Sequence, residues 1–230
     1  MPTDPTGEGA PLAATLDPAP GAAVYSRLLL AVYDLAVLGL DLRVVFRCPA
    51  RRILELYDRN VSDVHLDVGV GTGWFLDRCT FPVARPEIHL ADLNPNCLAW
   101  TSRRIRRHAP VAHRWNVLEP FDGPLPRFGS IAISNLLHCL PGTMPDKERV
   151  FRNLRPLLRP GGVLFGATVL GKGVDGVGRL YRVVNRAYNR RAVFSNLHDG
   201  APELDEVLGR TFARHALTRV GALALFTAHA

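Results

Sequence analysis

The stretch His65–Leu76, HLDVGVGTGWFL, constrains the fold of this chain more than any other segment. Val64, His65, Leu66 and Val68 surround Asp67 in a strand-like run, which ends in three alternate glycines, Gly69, Gly71 and Gly73. Glycines there can take positive φ and let a ligand approach the backbone closely. A helix is expected to start near Trp74, with its free N–H groups turned toward electron-rich ligand atoms. Strand, glycine loop and helix in that order begin a βαβ unit.

A dinucleotide-binding loop needs its third glycine three positions after the second. Counted from Gly69 and Gly71, that position is Trp74; counted from Gly71 and Gly73, it is Leu76. Neither register fits. Asp67, two residues before the first glycine, also carries charge into a strand end, which suits a ligand that brings a cation. S-adenosylmethionine brings two, an ammonium and a sulfonium. The loop resembles the first motif of the class I S-adenosylmethionine-dependent methyltransferases.

From Val64 onward, strand and helix patterns alternate. Strands are predicted at Val64–Val68, Glu87–Ala91, Val111–Asn116, Ser130–Ser134 and Val163–Leu170, with helices at Trp74–Cys79, Pro95–His108 and Lys147–Leu158. Such alternation implies a parallel sheet covered on both faces. Helices near Arg179–Arg190 and Pro202–Phe212 precede two further strands, His215–Val220 and Ala222–Ala228, and Gly221 between them suggests an antiparallel pair. The expected fold is an α/β, Rossmann-like, seven-stranded mixed sheet of five parallel strands plus the C-terminal pair, again resembling that family. Residues 1–21, rich in proline, glycine and alanine, read as a disordered tail without the basic start and apolar core of a secretory signal. Residues 22–230 form one domain, in which helices over 22–60 (Tyr25–Leu42, then Ala50–Asp58) act as a lid and 172–200 is a substrate-side insertion.

The resemblance implies further cofactor contacts at successive strand ends, where open α/β sheets bind ligands. Asp92 would accept hydrogen bonds from both ribose hydroxyls, or cap the helix that starts at Asn94-Pro95, and Leu93 would pack on the adenine. Asn116 and the Val117 N–H would read the adenine edge, although the family more often has Asp at the first position and a plain turn asparagine is the alternative. Asn135-Leu136 would lie beneath the methionine portion and the transferring methyl. Arg159-Pro160-Gly161-Gly162 resembles another signature of the family, shaping backbone alone.

Methyl transfer from a sulfonium needs a base only where the acceptor loses a proton as it attacks. His138, just past the fourth strand, is the candidate general base, or a residue that shapes the pocket. Enzymes of this fold that methylate nucleic-acid amino groups resemble Asn/Asp-Pro-Pro-Tyr at a place where this chain has Ser134-Asn135-Leu136-Leu137. Lysine-centred ribose methylation is disfavoured by two lysines in all, Lys147 and Lys172, and the cytosine-type Pro-Cys pair is missing. The acids of a catechol-type metal site are also lacking, so no metal is expected. A small organic acceptor remains: Tyr25, Tyr33 and Arg47 would close over the cofactor carboxylate or the acceptor, and Tyr181, Asn185, Tyr188, Phe194 and Asn196 would line the acceptor side, with ordinary helix packing as the alternative for each.

The chain has 230 residues, is 47% hydrophobic and carries a net charge of +7, nearly all of its basic residues being arginine. Together with abundant alanine and glycine, that skew suggests a GC-rich bacterial genome more than a nucleic-acid partner, and specialised metabolism as the setting. One dense run, Arg103, Arg104, Arg106 and Arg107, leaves RNA methylation as an alternative; a non-catalytic binding protein of the same fold is another. Four unpaired-looking cysteines and no membrane-length apolar run point to the cytoplasm. The methylated atom and the oligomeric state stay open.

Overall fold

The computed structural model describes residues 42–230. The expected tail, the expected helix Tyr25–Leu42 up to its last residue, and with them Tyr25 and Tyr33, lie outside the described residues.

Chain order runs α1 (Ala50–Asn60), β1 (Val64–Val68), α2 (Trp74–Arg78), β2 (Glu87–Asp92), α3 (Pro95–Arg104), β3 (Val111–Arg114), β4 (Phe128–Ser134), α4 (Met144–Leu154), β5 (Leu158–Val169), α5 (Arg179–Arg190), α6 (Ala201–Thr211), β6 (Arg214–Val220) and β7 (Leu223–His229). The strands form one sheet in the order β3-β2-β1-β4-β5-β7-β6. β1 pairs in parallel with β2 and β4, β2 with β3, and β4 with β5. β7 runs antiparallel to both β5 and β6. Strand order therefore reverses between β1 and β4, and a crevice opens at their carboxyl ends.

The period-2 alternation of side chains sorts the sheet into two apolar layers. Ile88 and Leu90 of β2, Ala132 of β4 and Phe165 and Ala167 of β5 join Ile53 and Tyr57 of α1, Phe75 and Leu76 of α2 and Leu98 of α3. Their strand neighbours Leu66, Val68, Ile131, Ile133 and Leu164 face the other way, onto Val150 and Phe151 of α4 and Leu204 and Leu208 of α6. Buried on both faces, β4 is apolar or small throughout.

Element ends moved for local reasons. α4 begins at Met144, three residues earlier than expected, because Thr143 and Asp146 form a reciprocal capping box. α3 stops at Arg104 and tightens into a 3-10 turn over Arg106–His108. The Arg159–Gly162 segment falls inside β5: Phe128 pairs with Leu158 and Ser130 with Val163, so the residues between bulge out of register.

Candidate functional site

One pocket sits in the crevice above β1, β2 and β4, lined by Asp67, the whole 69–73 loop, Asp92, Leu93, Asn116, Val117 and Asn135. Every cofactor residue expected from the sequence thus meets in one place. The loop is held from below: the Gly69 N–H bonds Ala91 O at 2.8 Å, Thr101 Oγ1 donates to Gly71 O at 3.1 Å, and Arg104 Nη1 donates to Thr72 O at 2.9 Å. Gly73 has φ 69°, and a Cβ on it would lie 2.5 Å from Thr101 Cγ2, so α3 can approach only glycine there. Gly71 also has positive φ, yet a Cβ on it would meet nothing within 4 Å. Its missing side chain keeps the pocket floor open. α2 is only five residues long, so close backbone approach rather than a helix terminus characterises this loop.

Asp67 and Asp92 end adjacent strands, and each is committed on one side. Asp67 Oδ2 accepts the Tyr57 hydroxyl at 2.8 Å. Asp92 Oδ1 accepts the Asn94 N–H at 2.8 Å, and the carboxylate also receives backbone N–H groups of Gly71 and Val70. Burial nevertheless pushes Asp92 up to about 6, outweighing those three donors. The cap of α3 is Asn94, whose side chain accepts from Asn96 N, so Asp92 is not needed as the cap. Asn116 Oδ1 accepts the Leu118 N–H at 3.1 Å, the turn role weighed for it, with its amide nitrogen left to donate. Asn135 takes φ 59°, and its Oδ1 is buried without a hydrogen-bond partner; Ser134 Oγ, near the Tyr57 hydroxyl, likewise makes no bond of good geometry. Orphaned oxygens of this kind call for donors from a ligand. With carboxylates at two places and acceptor oxygens between, the lining fits a ligand carrying an ammonium and hydroxyls, as S-adenosylmethionine does.

Beyond β4 the arrangement differs. His138 is buried and does not line the pocket. Its Nδ1 accepts the Val169 N–H at 3.2 Å, with Thr168 Oγ1 at 3.3 Å, and Phe194 packs edge-on at 4.4 Å. Because a backbone N–H can only donate, the neutral ring carries its proton on Nε2. Burial, reinforced by Lys147, lowers the imidazole to about 3. Three side chains expected on the acceptor wall are engaged in packing. Arg47 Nη1 donates to Gly176 O at 2.9 Å, Tyr181 is buried with its hydroxyl on Leu170 O, and Tyr188 packs on Phe194 at 4.8 Å. None of these three lines the pocket; Tyr181 is placed by helix α5, which buries its Tyr181 and Asn185 side.

A family model described as "Methyltransferase domain" matches residues 66–164. Demethylluteothin O-methyltransferase of Streptomyces thioluteus is 39% identical over 208 residues, covering 90% of this chain and 90% of that protein. Methyltransferase verB of Penicillium polonicum is 34% identical, over 91% of this chain and 97% of its own length. Among solved structures, the DhpI complex with S-adenosylhomocysteine superposes with a TM-score of 0.65 at 16% identity, over 90% of this chain and 94% of that one, a likeness of fold. The chain belongs to the class I S-adenosylmethionine-dependent methyltransferases. S-adenosylmethionine is the methyl donor, and the enzyme is of the small-molecule type.

The methyltransferase also recruits pocket residues that no sequence pattern singled out: Tyr57, Trp74, Cys97, Trp115, Cys139 and Leu140. Leu136, expected beside Asn135, does line the pocket; Trp115 adjoins Asn116, whereas Tyr57 belongs to no motif. The arginine run does not form one stripe. Arg104 holds the glycine loop and Arg107 Nη1 pairs with Asp77 Oδ1 at 2.5 Å, while Arg103 and Arg106 point to solvent. Among the described residues there is no cluster of His, Cys, Asp and Glu suited to a metal, and no helix long and apolar enough to cross a membrane.

Proposed function

We propose that the enzyme methylates an oxygen atom of a small organic acceptor, and that the acceptor oxygen belongs to an acidic hydroxyl such as a phenol or enol. The oxygen preference is supported by the O-methyltransferase of Streptomyces thioluteus, similar along nine-tenths of both chains. The acidic-hydroxyl preference rests on one observation: among the described pocket-lining side chains there is no base poised near neutrality and free to act. Asp92 is the nearest, at about 6, and stands where the ribose is expected; the Cys139 thiol is pushed up to about 12 by burial. His138 offers no lone pair, since Nδ1 is occupied and Nε2 is protonated. We therefore read His138 as a positioning residue that joins the β4 turn to β5, in place of the general base expected from its position in the sequence.

In this reading Asp67 and Asn135 face the amino-acid end of the donor, Gly69, Gly71 and Gly73 allow its close approach, Asp92 accepts from the ribose, and Leu93, Asn116 and Val117 surround the adenine. When bound, the donor would supply an electrophilic methyl on its sulfonium sulfur, with a neutral thioether as the leaving group. The protein's part is alignment and exclusion of water. A hydroxyl that ionises by itself releases its proton to solvent before attack. Four unpaired cysteines support a reducing, cytoplasmic location.

The test is incubation with S-adenosylmethionine and a panel of phenols, enols, alkyl alcohols and amines, read by mass spectrometry. Methyl ethers of the acidic hydroxyls are expected, at rates rising with pH toward each acceptor's own pKa. Products methylated only on nitrogen, or alkyl alcohols methylated as readily as phenols, would refute the proposal.

A further inference from the structure

Tyr57 sits on the buried side of α1, 2% exposed, and lines the pocket beside Asp67. Its ring is clamped: Phe75 stacks on it at 5.3 Å, and Phe165 meets it edge-on at 5.0 Å with the planes at 90°. Fixing the ring fixes the hydroxyl, which donates to Asp67 Oδ2 at 2.8 Å. His65 Nε2 lies 3.8 Å from the same oxygen, too far for a hydrogen bond, so the phenol holds that oxygen. A carboxylate at a strand end can otherwise turn about its last side-chain bond and present either oxygen.

We propose that Tyr57 is a positioning residue for the amino-acid end of the donor: by occupying Asp67 Oδ2 it turns Oδ1 toward the ammonium of S-adenosylmethionine or S-adenosylhomocysteine. The proposal rests on the reading that Asp67 faces that end. Two features of the geometry support it. The bond comes from a helix whose buried side otherwise packs on the sheet and on α2, at a place where phenylalanine would fill the same apolar slot. The phenol also stays a donor at working pH, because burial and the adjacent Asp67 charge hold its pKa well above the usual range.

Titration calorimetry of the full chain with two ligands separates positioning from packing. S-adenosylhomocysteine carries the amino-acid end; 5′-methylthioadenosine keeps the adenosine and the sulfur without it. Tyr57→Phe preserves both ring contacts, so a cooperative thermal melt is expected. It should weaken S-adenosylhomocysteine about tenfold and 5′-methylthioadenosine less than about twofold. In an Asp67→Asn background the same substitution should have no further effect on S-adenosylhomocysteine, because the two residues act as one unit. Equal weakening of both ligands, no weakening of either, or additive effects in the double variant would overturn the role of Tyr57. If the unaltered enzyme binds 5′-methylthioadenosine as tightly as S-adenosylhomocysteine, the placement of Asp67 itself is wrong, and the Tyr57 proposal goes with it.

Discussion

At the glycine-loop end, the pocket is assembled from neighbours: Asp67 and Asp92 close adjacent parallel strands, and the loop between β1 and α2 is tied to the next helix by Thr101 and Arg104. On the far side of β4, the structure draws together residues distant in sequence. Lys147, fully buried in α4, donates to Ser195 O at 2.7 Å and to Asp199 Oδ2 at 2.5 Å. Ser195 N in turn bonds His138 O, and Asn196 Nδ2 reaches Val169 O at 3.0 Å. One end is a local turn motif with charged strand ends. The other is a strap over 194–199, pinned by a buried ion pair and backbone bonds. The glycine-loop end is held by contacts between neighbouring elements, whereas the strap depends on bonds that close only when distant segments meet.

The sharpest way to break this contrast is Lys147→Met. Removing one partner strands the Asp199 carboxylate in the interior, which costs about 3–5 kcal/mol by urea unfolding, whereas a paired Lys147→Met, Asp199→Leu replacement should regain most of it. A single variant as stable as the parent would mean that the strap is not held by this pair. Burial already pushes the two partners toward neutrality, lowering Lys147 and raising Asp199.

At the other end, Asp92→Ala should leave the melt largely intact but weaken S-adenosylhomocysteine about 100-fold, through two lost charge-assisted bonds to the ribose. Unchanged affinity in calorimetry removes Asp92 from the ribose. The same carboxylate sets a pH dependence. Hydroxyl donors need it ionised, so affinity should be level above about pH 7 and fall about tenfold per unit below about 6. Stability of the free protein moves oppositely. A carboxylate raised in the folded state contributes most below its unfolded value, and that contribution is lost as pH climbs through about 6.

His138→Ala probes the seam between the two regions. It leaves the Val169 N–H without an acceptor, at a cost of about 1–3 kcal/mol, and donor affinity should stay within about twofold. Should the parent's rate show an acid limb near the ordinary histidine value, and this variant lose it, His138 regains its place as a base. The smallest effect belongs to Arg107→Ala. That half-exposed ion pair to Asp77 is worth about 0.5 kcal/mol or less in a thermal melt, and the variant should leave retention on an RNA column unaltered.

The glycine loop, Asp92, Asn116 and Asn135 were legible because turn chemistry and strand ends are written in consecutive residues. Gly69, Gly71 and Gly73 all take positive φ, as their spacing implied. Tyr181 shows the opposite case. Its helix was placed correctly at Arg179–Arg190, but which face that helix buries depends on where β5 and the strap sit, so an expected wall residue is a core residue bonded to Leu170. His138 is a related case: from the sequence it is a candidate base or a pocket-shaping residue, and the structure puts the Val169 N–H on its Nδ1. Sequence periodicity and turn residues therefore determined the sheet, the loop and the acids that line the pocket, since these follow from interactions a few residues long. Side-chain direction, tautomer and the partners of Tyr57, His138 and Lys147 were decided only by the tertiary structure, because each depends on a group 10 to 52 residues away that folding brings within a hydrogen bond.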